Sequence, residues 1–180
     1  MNTASVVNPS DARLPPSKAV DALGLVASLG LALAVAGMSG LATMHTVDGW
    51  YSEAHQTLWN PPNVVFGPVW LVLYSLMAVS AWWVWRQPQS RERQRALGLY
   101  LGQLALNAGW TPLFFVGYDL IGPIALWIAL GWIVLLNFVV LATLVVMWQI
   151  KKPAAMLLMP YWAWLLFATA LNASLAVMNS

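Results

Sequence analysis

The sequence contains no cysteine, so disulfides, thiolate metal sites and cysteine nucleophiles are unavailable to it. Charge is scarce: 8% of the 180 residues are Asp, Glu, Lys or Arg, against 61% hydrophobic side chains. With a mean hydropathy of +0.70, that balance excludes an ordinary water-soluble domain and points to an integral membrane protein. Only eight Lys and Arg are present, confined to the N-terminal tail and short connecting segments. The pI near 9.2 therefore speaks of membrane orientation and not of a nucleic-acid partner. No acid, basic residue or histidine lies inside the long apolar runs, which argues against a proton relay or a charge-coupled pump. No internal repeat marks an inverted-repeat transporter.

What the chain does have is five long apolar runs, and they predict an all-α bundle of five transmembrane helices. Residues 1–17 are polar and proline-rich and read as a mobile tail, with the membrane domain covering 18–180. The first span, Ala22 to Met44, would be about 34 Å long at 1.5 Å per residue, enough for a bilayer core of about 30 Å. A signal peptide is the rival reading, since Lys18 precedes an apolar run and Ala34-Val35-Ala36 resembles a cleavage site, but the run continues to Met44. The remaining spans are expected at about Val64–Trp85, Ala96–Gly117, Pro123–Ile150 and Ala154–Val177. Between them lie a long first loop from His45 to Asn63, an arginine-rich loop from Arg86 to Arg95, a tight turn holding Asp119, and a turn at Lys151-Lys152-Pro153. All eight Lys and Arg then fall on one side. The positive-inside rule puts the N-terminus in the cytoplasm and the long first loop outside, for a bacterial inner membrane; an outer membrane, where the rule is unreliable, stays open.

The stretch from Trp59 to Tyr74 organises the rest. Pro61 and Pro62 fix φ and hold the loop extended as it runs into the second span, a stiffness suited to a lid over a pocket or to a plain interfacial loop. Trp70, Tyr74 and Met77 share a face of the second span, and Tyr161, Trp164, Ala168 and Asn172 form a stripe on the fifth. On the third span, Gly98, Gly102, Ala105 and Gly109 fall on one side of a helical wheel, while Gln103, Asn107, Trp110 and Phe114 fall on the other. The small-residue stripe, which contains a GxxxG, reads either as a dimer seam or as a helix contact within one chain. Aromatic stripes are more often core than ligand site, but three on three helices favour a pocket for a large, flat, mostly apolar ligand. Trp82, Trp83, Trp85 and Trp148 lie near span ends and read as interfacial belt residues. His45, Asp48, Glu53 and His55 gather in the first loop at no recognised metal-ligand spacing, so no metal site is assigned and solvated loop polarity is the better reading.

Three blocks carry a family resemblance: Trp59-Asn-Pro-Pro with Phe66-Gly-Pro-Val-Trp70 and Tyr74, then Asn107-Ala-Gly-Trp110-Thr-Pro-Leu-Phe-Phe115, then Pro160-Tyr-Trp-Ala-Trp164 through Asn172. The chain resembles the tryptophan-rich sensory protein or translocator protein family (TspO, the peripheral-type benzodiazepine receptor), and its bacterial members in particular. That resemblance implies a five-helix bundle, often a homodimer through the third helix, with a pocket under the first loop that binds porphyrins. It places Trp70, Asn107 and Trp164 in the pocket wall, with Tyr74, Trp110, Ala168 and Leu171 around them. It also associates Trp70 and Trp164 with light- and oxygen-dependent breakdown of protoporphyrin IX in bacterial members. The cholesterol motif of animal members needs a tyrosine and a basic residue near the C-terminus, and Leu171–Ser180 holds neither.

The expectation is thus a membrane receptor or sensor that binds tetrapyrroles, protoporphyrin IX or haem-related porphyrins, with no obligatory cofactor beyond porphyrin as ligand or substrate. Trp59, Pro61 and Pro62 would close the mouth, and Gln103, Asn107, Trp110, Phe114, Tyr161 and Leu171 would line or support the pocket. The alternative is a photo-oxidative porphyrin-degrading enzyme acting through Trp70 and Trp164, for which no conventional acid, base or metal is visible. A passive transporter of porphyrin or small metabolites ranks below both.

Overall fold

The computed structural model describes residues 17–43 and 49–180, and these form six α-helices with no strand. They are α1 (Lys18–Thr43), α2 (Trp50–Glu53), α3 (Asn63–Trp85), α4 (Arg91–Ile121), α5 (Ile124–Ile150) and α6 (Lys152–Met178). The tail before Ser17, and with it His45 and Asp48 of the first loop, lie outside the described residues. Among the described residues, four helices are long and apolar enough to cross a membrane: α1 over Lys18–Leu41, and α3, α5 and α6 over their whole lengths. The 31-residue α4 is not in that group, because Gln103, Asn107, several glycines and a charged first turn dilute its apolar residues.

Helix limits differ from the apolar runs in an instructive way. The loop expected over Arg86–Arg95 is shorter, because α4 begins at Arg91 and carries Arg93 and Arg95 within the helix. Ser90 is the N-cap, its hydroxyl accepting from the Arg93 backbone N–H at 3.1 Å, and Arg, Glu, Gln and Ala are good helix formers in water. Asp119, expected in a turn, is likewise helical, and α4 ends only where Gly122 takes a positive φ of 68° before Pro123. Hydropathy reports where a helix meets lipid, not where its backbone stops being helical. The first loop also contains a helical turn, α2, which no periodicity announced.

Packing follows a closed ring in the order α1, α3, α6, α5, α4 and back to α1, each long helix touching its two ring neighbours. Buried alanines and leucines fill the half of this ring nearest the arginine-rich end, around Met77, Ala81, Val84, Val140, Met147, Ala154 and Leu158. There Ser80 donates to the Ala154 carbonyl at 2.7 Å and ties α3 to α6. The four-residue α2 plugs the other end. The Trp50 indole stacks on Tyr118 with centroids 4.0 Å apart, and its Nε1 donates to the Phe115 carbonyl at 2.8 Å.

Candidate ligand-binding site

Between the plug and the packed half lies a cavity of about 370 Å³. Its walls come from every long helix except α5, together with Tyr51 of α2. From α3 come Phe66, Trp70 and Tyr74; from α6, Trp164, Ala168, Leu171 and Asn172; from α4, Asn107, Trp110, Thr111 and Phe114. The α1 wall is made of small residues, Ala36, Ser39, Gly40 and Thr43.

Aromatic geometry gives the cavity its character. Trp70 and Trp164 meet edge to face, centroids 6.5 Å apart and planes at 85°, and Phe66 stands at 72° to Trp164. Trp110 lies stacked on Phe114 at 4.9 Å. Edge-to-face and offset-stacked rings leave π-faces open to a third ring. Polar groups are few and mostly committed. Asn107 Nδ2 donates to the Tyr161 hydroxyl at 2.9 Å, Trp110 Nε1 donates to Asn172 Oδ1 at 3.4 Å, and Asn172 Nδ2 donates to the Leu126 carbonyl at 3.0 Å. Trp164 Nε1 is shielded from solvent and has no acceptor among the described residues.

Most of the residues singled out from sequence converge here, but not all. Trp70, Tyr74, Asn107, Trp110, Phe114, Trp164, Ala168 and Leu171 line the cavity. Tyr161 does not; it is fully buried behind the wall and acts through its hydrogen bond to Asn107. Gln103 is also fully buried and off the wall, one turn of α4 below Asn107. Trp59, Pro61 and Pro62 do not line it either. Trp59 is half exposed and reaches the site only through Phe167, which it meets at 5.7 Å and which in turn meets Trp164 at 5.4 Å. Pro62 serves instead as the N-cap of α3. On the α2 side the wall includes Tyr51, whose loop is held by Asn60 donating to the Tyr51 hydroxyl (3.3 Å) and to Gln56 Oε1 (2.6 Å), and by Asn179 bonding the His55 backbone. Sequence reasoning missed Tyr51, Thr111, Phe66 and the whole α1 wall; small residues in an apolar run carry no signal of what they face.

The small-residue stripe of α4 is split. Gly98, Gly102 and Ala105 are exposed, and a Cβ at either glycine would meet nothing within 4 Å. Gly109 faces α5 instead, where a Cβ would lie 3.0 Å from Trp132 Cζ2. Among the described residues no group of three His, Cys, Asp or Glu is placed to hold a metal, and no histidine lines the cavity.

The sequence model of the TspO/MBR family matches residues 28–178. The chain belongs to the TspO/MBR family. It is 41% identical over 129 residues to the translocator protein of Homo sapiens, covering 68% of this chain and 70% of that one. It is 34% identical over 158 residues to the tryptophan-rich protein TspO of Archaeoglobus fulgidus, covering 88% of this chain and 98% of that one. A tryptophan-rich sensory protein of Cereibacter sphaeroides is 36% identical over 125 residues, 69% of this chain and 73% of that protein. As a TspO/MBR member with four strongly apolar helices, the chain is an integral, multi-pass membrane protein.

Proposed function

We propose that this TspO-family protein is a membrane receptor for flat tetrapyrroles such as protoporphyrin IX, held in the aromatic cavity. The observation that carries the reading is the wall itself: crossed Trp70 and Trp164 rings, with Trp110 stacked on Phe114 across from them. A porphyrin offers the complement to such a wall, a large π-surface that crossed and stacked rings can meet. Asn107, positioned by Tyr161, and Thr111 add polar contacts on the opposite side of the cavity. In this reading α4 also spans the bilayer, since it packs along α5 through Gly109 and Trp132 and is about 46 Å long at 1.5 Å per residue. Five spans put all described Lys and Arg on one side, the cytoplasmic side of a bacterial inner membrane, with the N-terminus. The exposed Gly98, Gly102 and Ala105 are the surface through which two copies would pair.

A second reading rests on the same ring pair. With porphyrin held against Trp70 and Trp164, light absorbed by the ligand and dissolved oxygen would suffice for oxidative breakdown without a protein acid or base. Titrating protoporphyrin IX into the purified protein, in darkness and then in light, separates the two, with Trp70→Phe and Trp164→Phe alongside. Saturable quenching of tryptophan fluorescence with an unchanged porphyrin spectrum supports the receptor. A light-dependent spectral change that both variants lose while still binding moves the protein to the enzymes. No saturable binding overturns both.

A further inference from the structure

At the opposite end of the bundle from the ligand cavity there is a second hollow, of about 450 Å³, between the end of α3 and the α5–α6 turn. Its walls are Trp83, Arg86, Gln87, Lys151 and Pro153. Two of the five are cations and none is an acid. Arg86 is oriented from two sides: its Nε pairs with Asp21 of α1 at 2.9 Å, and its guanidinium lies over the Trp82 ring at 4.8 Å. Lys151 has no ion pair with any described residue. Gln87 is anchored by donating to the Trp83 carbonyl at 2.9 Å. The 27-residue α6 begins at Lys152, so the positive end of its dipole adds to the field here.

Depth decides what could fill such a site. Trp82, Trp83 and Trp85 end α3, and Trp148 lies near the end of α5 with Lys152 over its ring. Tryptophans of this kind settle at the headgroup level of a bilayer, where lipid phosphates are concentrated. Arg93, in the first turn of α4, is 7% exposed, and its Nε is buried without a hydrogen-bond partner among the described residues.

We propose that Arg86 and Lys151 form a binding site for the phosphate of an anionic phospholipid headgroup, with Trp83 and Pro153 as its apolar floor. The fork of Arg86 would take phosphate oxygens, Lys151 would add a point charge, and the acyl chains would run along the outer face of α3 and α6. The site is separate from the tetrapyrrole cavity and does not depend on that reading.

Native mass spectrometry of the full-length protein, released from nanodiscs of mixed phosphatidylglycerol and phosphatidylcholine, tests it. The key variants are Lys151→Gln and Lys152→Gln, which change net charge equally, although only Lys151 lines the hollow. Wild type should retain phosphatidylglycerol in preference to phosphatidylcholine, Lys151→Gln should weaken retention about fivefold, and Lys152→Gln should leave it near wild type. Equal losses in the two variants would reduce the effect to general surface charge and overturn the site. Equal retention of the two lipids would overturn it as well. Displacement of the lipid by millimolar inorganic phosphate, with the same rise in thermal stability from phosphate alone, would reassign the hollow to a free anion and overturn the lipid.

Discussion

Tyr51 shows how much a single residue can carry that its sequence position does not announce. It sits in a four-residue helical turn, is 5% exposed, and lines the cavity while Asn60 donates to its hydroxyl. Burial raises its pKa above the ordinary value of 10.0, and the Asn60 hydrogen bond only partly offsets that rise. Below pH 10 the phenol is neutral in both folded and unfolded protein, so it contributes no pH dependence. Above it, the unfolded chain loses the proton while the folded one keeps it, and stability falls as pH rises toward the folded pKa. Denaturant unfolding in detergent, followed by tryptophan fluorescence between about pH 8 and 11, should show a steeper alkaline loss for wild type than for Tyr51→Phe. Parallel curves would mean that the plug does not hold Tyr51 in a desolvated site. Trp164, Asn107 and Trp110, which stand out in the sequence because a large or amide side chain within an apolar run needs a partner, line the cavity. Gln103 satisfied the same rule and yet lies behind the wall, since helical phase gives a direction but not a depth.

At the scale of elements, α4 is where sequence and structure part company most. Its charged first turn and its polar residues made it short on a hydropathy scale, although capping by Ser90 and a glycine stop at Gly122 give it 31 residues. Its glycines divide between two jobs. At Gly109 a methyl group would press on Trp132, whose Nε1 donates to the Leu106 carbonyl at 2.8 Å and so cannot retreat freely. Gly109→Ala should therefore destabilise the monomer by about 1–3 kcal/mol, while Gly98→Ala and Gly102→Ala should be neutral to stabilising by up to about 1 kcal/mol, measured by unfolding in mixed micelles. If Gly109→Ala proved as neutral as the other two, the α4–α5 contact would be looser than the geometry shows. Gly102 and Gly109, seven residues apart, look alike on a helical wheel; only the neighbouring helix distinguishes the packing glycine from the exposed one.

For the whole molecule the decisive feature is the ring of helices and the hollow it leaves. The α1 wall of that hollow is low, made of Ala36, Ser39, Gly40 and Thr43, and α1 exposes much of its apolar surface. Filling the hollow from this side should block a ligand without disturbing the opposite wall. Ala36→Trp should weaken protoporphyrin IX binding at least about tenfold, or 1.4 kcal/mol, with a melting temperature near wild type; full affinity would mean that the ligand sits elsewhere. The membrane class, the five apolar runs, the aromatic stripes and the family were all legible in the amino-acid sequence. Lipid enforces long apolar runs because backbone and charge are costly in hydrocarbon, and ring-bearing side chains repeat at the helical period wherever they share a face. The order of helices around the ring, the α1 wall, the Tyr51 plug, and the split roles of Gly98 and Gly109 depend on contacts between segments far apart in the chain. Those contacts are set by the shapes that pack together, which no single run of residues encodes, and tertiary structure alone decided them.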